Sequence, residues 1–498
     1  MVDTLSKFFV TFSGWESSSP YWYTRFFFQR SLGFIYFIGF LIILNQWKPL
    51  VGERGLLPVP LFLERAQFWD APSIFVLHFS NRFCMVLGWI GFLFSVLAMT
   101  GISDAFGYTL SVVVWGGLWV LYLSFVNVGQ TFYGFGWETL LLETGFLATF
   151  LGPSKSQVPV VIIWLLRWVL FRVMFGAGLI KLRGDPCWRD LTCMFYHYET
   201  QPLPNPLSWM FHRFPAFIHK TGVLFTHFVE LIVPFAYFLP RPICYFAGGL
   251  TILFQGMLIV SGNLSWLNYI TLVLCIPCFD DVLLFKFFSF MPAVMETSKI
   301  HQGLSYAIGV LVVVLSIRPT INLISPRQMM NASFDSLHLV NTYGAFGSVT
   351  KSREEIILEG TLDPVITPVT RWREYEFKGK PGDPKRRPAL VSPYHYKIDW
   401  QMWFAAMSDY RRHPWILNLI AKFLKNDREV LSLLAYNPFP DLPPVHVRAR
   451  LYRYRYSSLE EKKEGYWWNR KVLTEYLPPL SLKNSSFRQI LKDQGWLE

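Results

Sequence analysis

Nine apolar stretches succeed one another in the first 320 residues, near 27–46, 83–101, 105–128, 135–152, 158–180, 221–240, 242–261, 264–279 and 303–318. A bilayer core of about 30 Å takes about 20 mostly apolar residues per helix, with a range of roughly 17–25. The 264–279 stretch is short, and re-entry or packing inside a bundle accounts for it as well as spanning does. The sequence therefore predicts eight or nine membrane spans. Charge follows the same division: residues 1–320 are 11% charged and residues 321–498 are 26%, against about 25% in soluble proteins. A simple cytosolic enzyme, a disordered chain and a disulfide-stapled miniprotein are excluded.

This gives a polytopic α-helical membrane domain over residues 1–325 and a mixed, β-rich soluble domain over 326–498. Two long connections, 47–82 and 181–220, are expected to fold onto the bundle, since long structureless loops are uncommon. Met1–Tyr23 lacks the apolar core of a cleavable leader. Basic residues divide seven against nine between alternate loops, so charge leaves the sidedness open. Within the soluble domain, Ser336–Phe346, Glu355–Glu359 and Trp372–Lys378 read as strands. Asp399–Asn426 reads as helix broken at Pro414. Strand alternation over Val445–Ser457 places His446, Arg448, Arg450, Tyr452, Tyr454 and Tyr456 on one face.

Ionisable groups at membrane depth are functional candidates by default. Glu138 and Glu143 on the fourth span and Arg167 and Arg172 on the fifth are expected to pair between neighbouring helices. His227 and Glu230 are three apart and share a helical face. They are expected to hydrogen-bond each other, and two ligands are too few for a structural zinc site, so no metal is expected. Lys181 closes the fifth span after Gly176-Ala177-Gly178, where small residues permit close helix approach. Two readings of it stand: a lysine in apolar surroundings that serves as a base, and a lysine snorkelling at a span end. Spacing alone favours the second.

Of six cysteines, four lie in or beside apolar spans and read as small buried hydrophobes. Cys187 and Cys193 share the 181–220 loop, and a local disulfide is expected there if the loop faces an oxidising compartment. No GxSxG, GxxxxGK[ST], HExxH or GxGxxG pattern occurs, so common hydrolase, nucleotide and zincin chemistries lack support. The excess positive charge of the C-terminal part is dispersed and carries no nucleic-acid motif; acidic lipid headgroups suit it better. Neither paired broken helices nor an inverted repeat supports a transporter.

Several runs carry a family resemblance: Tyr21-Trp22-Tyr23-Thr24-Arg25, Gly52–Pro58, Gly136–Gly145, and Gly176–Asp185 continuing through Cys187-Trp188-Arg189-Asp190-Leu191-Thr192-Cys193. To these are added His197–Pro202, Pro204-Asn205-Pro206, Ser261–Ser265, Cys278-Phe279-Asp280-Asp281, Asn341–Gly347 and Asp399–Ala406. On these runs the chain resembles the lipase maturation factors. The resemblance implies a polytopic protein of the endoplasmic reticulum membrane that helps secreted lipases fold and assemble, with its soluble domain outside the cytosol. It also singles out Arg183, Asp185, Trp188, Arg189 and Glu199 in the loop. Animal members begin with a longer segment, as expected if this is a bacterial or shortened member. In a bacterium the address becomes the inner membrane, with a periplasmic C-terminal domain and other exported clients.

The stretch leading through Leu179-Ile180-Lys181-Leu182 to Trp188 is also similar to part of vitamin K-dependent γ-carboxylase, where the matching lysine is a base on the reduced quinone. Two functions follow. The leading one is a folding factor without turnover chemistry or cofactor, holding clients through the soluble domain and the 181–220 loop; Tyr394, Tyr396, Trp400 and Trp403 are candidate apolar contacts, with core packing the expected role for most of them. The alternative is a carboxylase-like membrane enzyme that binds a quinone or lipid near Lys181, Arg183, His197 and His227.

Overall fold

The computed structural model describes residues 21–288 and 298–497. Residues 1–20, on which most of the leader expectation falls, lie outside the described residues. In chain order the membrane region contains α1 (Trp22–Val51), α2 (Asn81–Thr100), α3 (Tyr108–Val128), α4 (Gly136–Ala148) and α5 (Val160–Arg183). There follow α6 (Ala216–His227), α7 (Arg241–Ser261), α8 (Leu267–Cys275) and α9 (Lys299–Leu315). Helix α6 runs on to Phe238 through a π-turn at Phe228–Ile232 and a 3-10 turn.

Among the described residues, seven helices are long and apolar enough to cross a membrane, which corrects the expected eight or nine. The two that fall short are α4 and α8. At 1.5 Å per residue, the 13 residues of α4 rise only about 20 Å. Both helices are largely buried inside the bundle. Apolar composition alone does not distinguish a buried core helix from a span.

Distant motifs meet at the start of α1. The Trp22 and Tyr23 amides donate to the Asp281 carboxylate at 2.6 and 2.9 Å. This satisfies backbone donors that a helix start leaves open. Arg25 donates to the carbonyls of Ser156 and Ser154 at 2.8 and 2.7 Å.

The C-terminal part builds a four-stranded antiparallel sheet in the order β2-β1-β5-β6, from β1 (Arg353–Thr361), β2 (Arg373–Glu374), β5 (His446–Tyr456) and β6 (Trp468–Leu480). A second pair joins β3 (Glu376–Phe377) to β4 (Leu434–Tyr436). The expected helical stretch divides into α10 (Lys397–Ala406) and α11 (Trp415–Leu424), with Pro414 just before the second. Ser336–Phe346 is not a strand. It makes one isolated bridge, Ser333 to Asn341, because Asn341 and Tyr343 turn their polar groups toward α4 and α5.

The C-terminal part is fastened to the bundle by buried polar contacts. Asn418 on α11 donates to the Gly55 and Leu56 carbonyls at 3.2 and 2.9 Å. Lys397 at the start of α10 pairs with Glu138 on α4 at 2.7 Å, with both side chains fully buried. Removing one partner of such a pair strands a charge and costs about 3–5 kcal/mol. Lys397→Met is therefore expected to lower the melting temperature of the purified protein sharply. Lys397→Met with Glu138→Leu should recover most of the loss, as read by thermal unfolding of all three proteins in the same detergent.

Candidate functional site

The end of α5 meets the π-turn of α6 where glycine allows it. A Cβ on Gly178 would lie 2.7 Å from Leu231 Cδ2 and 3.0 Å from Glu230 Cβ. One helical turn later, Lys181 forms a buried ion pair with Glu230 and lies 5.2 Å from the Trp188 ring. His227 does not hydrogen-bond Glu230, contrary to expectation; its Nε2 lies 3.0 Å from the Trp188 carbonyl. The wider π-turn that starts at Phe228 swings Glu230 off the face His227 occupies.

The two membrane carboxylates have separate partners. Arg172 pairs with Glu143, as expected of neighbouring helices. Glu143 Oε2 also accepts from the Tyr343 hydroxyl at 2.6 Å and from the Asn341 amide and side chain at 3.1 Å each. Arg172 donates to the Asn341 carbonyl at 2.6 Å. Glu138 pairs with Lys397 rather than Arg167. Arg167 instead donates through Nε to the Pro277 carbonyl at 2.9 Å, so the sequence assigned Glu138 the wrong cation.

The 181–220 loop is built of short helices, Pro186–Arg189, Met194–Thr200 and Ser208–His212. Asp185 caps the first by accepting from the Cys187 amide at 2.9 Å. Cys187 and Cys193 form a disulfide around a buried cluster that includes Trp188 and Met194. Trp188 Nε1 donates to the Phe346 carbonyl at 2.8 Å. Arg183 reaches the Leu323 carbonyl at 2.7 Å and Gln328 at 2.8 Å, while Arg189 is exposed. Glu199 accepts from the Tyr456 amide at 2.7 Å. Arg353 of β1 clamps the loop to the sheet, donating to the carbonyls of Glu199 at 3.0 Å and Pro202 at 2.9 Å. Its guanidinium also pairs with Glu355.

Between α5, α6, α7, α8, this loop, the Asn341–Thr350 segment and α10 lies a cavity of about 480 Å³. Lys181, Glu230 and His197 line it, with Gln255, Asn268 and the rings of Trp137, Trp400 and Trp403. His227 is not among its lining residues. Asn268 donates to Gln255 at 2.7 Å. Trp400 is only 4% exposed and packs 4.9 Å from Trp137, so it takes the core role expected of most of these aromatics and not the client contact. Trp403 is half-buried and donates to the Thr200 carbonyl at 3.0 Å, and half-buried Tyr394 accepts from Gln46 at 3.2 Å. The amine invoked as a base is an ion-pair donor here, and the arrangement joins two regions around an apolar chamber. Sequence reading missed Lys397, Arg353 and Glu355, and Lys380, whose Nζ pairs with Glu355 at 3.0 Å. Arg353 carried a signal, as a cation opening the β-prone run that ends at Glu359, whereas Lys380 sits in the Gly379–Pro384 turn, which gives none.

Such a site belongs to an integral membrane protein whose C-terminal part is locked to its helices. The model of the lipase maturation factor transmembrane domain matches residues 23–286, and that of the lipase maturation factor C-terminal domain matches residues 339–478. Lipase maturation factor 1 of Homo sapiens is 44% identical over 518 residues, covering 96% of this chain and 91% of the relative. That of Bos taurus is 45% identical over 509 residues, covering 93% and 90%. Lipase maturation factor 2 of Xenopus tropicalis is 28% identical over 601 residues, covering 94% and 84%. No solved structure matches. The chain belongs to the lipase maturation factor family.

His197 supplies a pH test of the chamber. Burial first, and Lys181 second, hold its imidazole down to about 4 from an ordinary 6.5. Below pH 6.5 the unfolded chain binds a proton that the folded chain refuses, so stability falls as pH drops from 6.5 toward 4. The total loss is roughly 3 kcal/mol. Melting curves across that window should show a steeper decline for the wild type than for His197→Phe. Above pH 7 the slopes of the two proteins should coincide.

Proposed function

We propose that this chain is a membrane-embedded maturation factor for secreted lipases, acting in the endoplasmic reticulum membrane of a eukaryotic host. The observation that carries this reading is the 44% identity to human lipase maturation factor 1, which extends over 96% of the chain. Relatedness of that extent covers the membrane helices, the clamped loop and the sheet together. The Cys187–Cys193 disulfide supports a lumenal side for the loop, because disulfides persist in oxidising compartments. The sheet that Arg353 ties to that loop then lies on the same side.

A folding factor needs apolar surface open to a partly folded client. The β1–β2 connection offers it: Val365 is 69% exposed and Val369 85%, with Leu362 and Ile366 also exposed. Exposed apolar patches on a water-facing region mark interaction sites. This connection suits client contact better than Trp400.

The test is complementation. Cells deleted for their own lipase maturation factor 1 and supplied with this chain should regain secreted lipase activity. Failure despite normal expression and melting behaviour would overturn the reading. Val365→Asp with Val369→Asp should reduce that rescue several-fold while leaving folding stability within about 0.5 kcal/mol of wild type, as surface changes do.

A further inference from the structure

The chamber beside Lys181 has features that client folding does not use. Its volume is about 480 Å³. An apolar cavity of about 150 Å³ accepts one benzene, so this one accommodates roughly twenty carbon atoms. Much of its wall is apolar, with Phe254, Leu258 and Leu264 along it. Phe404 and Met407, 36% and 44% exposed, line it at and just beyond the end of α10.

Its buried polar end is incompletely satisfied. Glu230 pairs with Lys181 through Oε1, while Oε2 is buried without a hydrogen-bond partner among the described residues. Glu230 as a whole is only 3% exposed. A buried carboxylate oxygen left unpaired is costly. An ammonium carries three donors, and Lys181 directs one at Glu230. Donor and acceptor capacity therefore stand side by side at the chamber wall.

We infer that the chamber binds a neutral, hydroxyl-bearing amphiphile with one acyl-length chain. Its hydroxyl donates to Glu230 Oε2 and accepts from Lys181 Nζ, and its chain lies along Phe254, Leu258 and Leu264. Charge balance selects the neutral head. Lys181 and Glu230 cancel, so a carboxylate would add an uncompensated buried charge. A monoacylglycerol or long-chain alcohol fits, and a fatty acid does not.

The experiment uses the full chain in phosphatidylcholine nanodiscs, labelled with a diazirine analogue of monopalmitoylglycerol and mapped by peptide mass. Adducts are expected on the chamber segments that carry Leu258 and Met407. Excess unlabelled monopalmitoylglycerol should suppress them, and palmitate should not. Lys181→Met with Glu230→Leu removes both head contacts without stranding a charge and should cut labelling at least tenfold, since even one hydrogen bond to a charged group is worth about that much. Adducts spread over lipid-facing helices, equal competition by palmitate, or full labelling of a stably folded double variant would each overturn the proposal. If the double variant does not fold, the wild-type competition decides alone. No lipase is present in this assay, so its failure is separate from failure of the folding-factor reading.

Discussion

Glu138 is the constraint on which the assembly of this protein turns. It sits on a short helix inside the bundle, fully buried, and its cation comes from the far end of the chain. A carboxylate at that depth is tolerable only with a partner. Lys397 itself is enclosed by the rings of Tyr133, Phe135 and Trp266 at 3.7, 5.7 and 5.8 Å. The C-terminal region is therefore an integral part of the membrane region's electrostatics.

The second carboxylate of the same helix repeats the device. Glu143 collects Arg172 from α5 and Asn341 and Tyr343 from the segment that enters the C-terminal part. Arg353 adds a third tie, from sheet to loop. Between these ties the chain leaves a chamber unfilled. Its walls come from helices, loop and α10 alike, so movement of the two regions against each other would reshape it.

Much of the architecture was legible because water and hydrocarbon impose simple periods. The long spans follow from apolar length, the His446–Tyr456 strand from alternation and the Glu355–Glu359 strand from a short β-prone run, while the nearness of Cys187 and Cys193 in sequence left their disulfide open until the fold closed it. Partner choice was less legible. Glu138 has candidate cations on several helices, and only the tertiary arrangement selects Lys397 over Arg167. The pairing of His227 with Glu230 failed for a local reason, since an α-helical period was applied across a π-turn. Ser336–Phe346 has the composition of a strand, yet it contributes only the bridge from Asn341 to Ser333. Asn341 and Tyr343 there turn their polar groups to the buried Glu143 and Arg172 instead.

The ion pair across 259 residues also fixes an order in time. At about 5–20 residues per second, Lys397 is made some ten to fifty seconds after Glu138. Through that interval the nascent bundle carries a carboxylate without its cation. A chain cut short before Lys397 keeps that defect permanently. The pair at Glu138 thus separates an unfinished molecule from a finished one by a single buried charge.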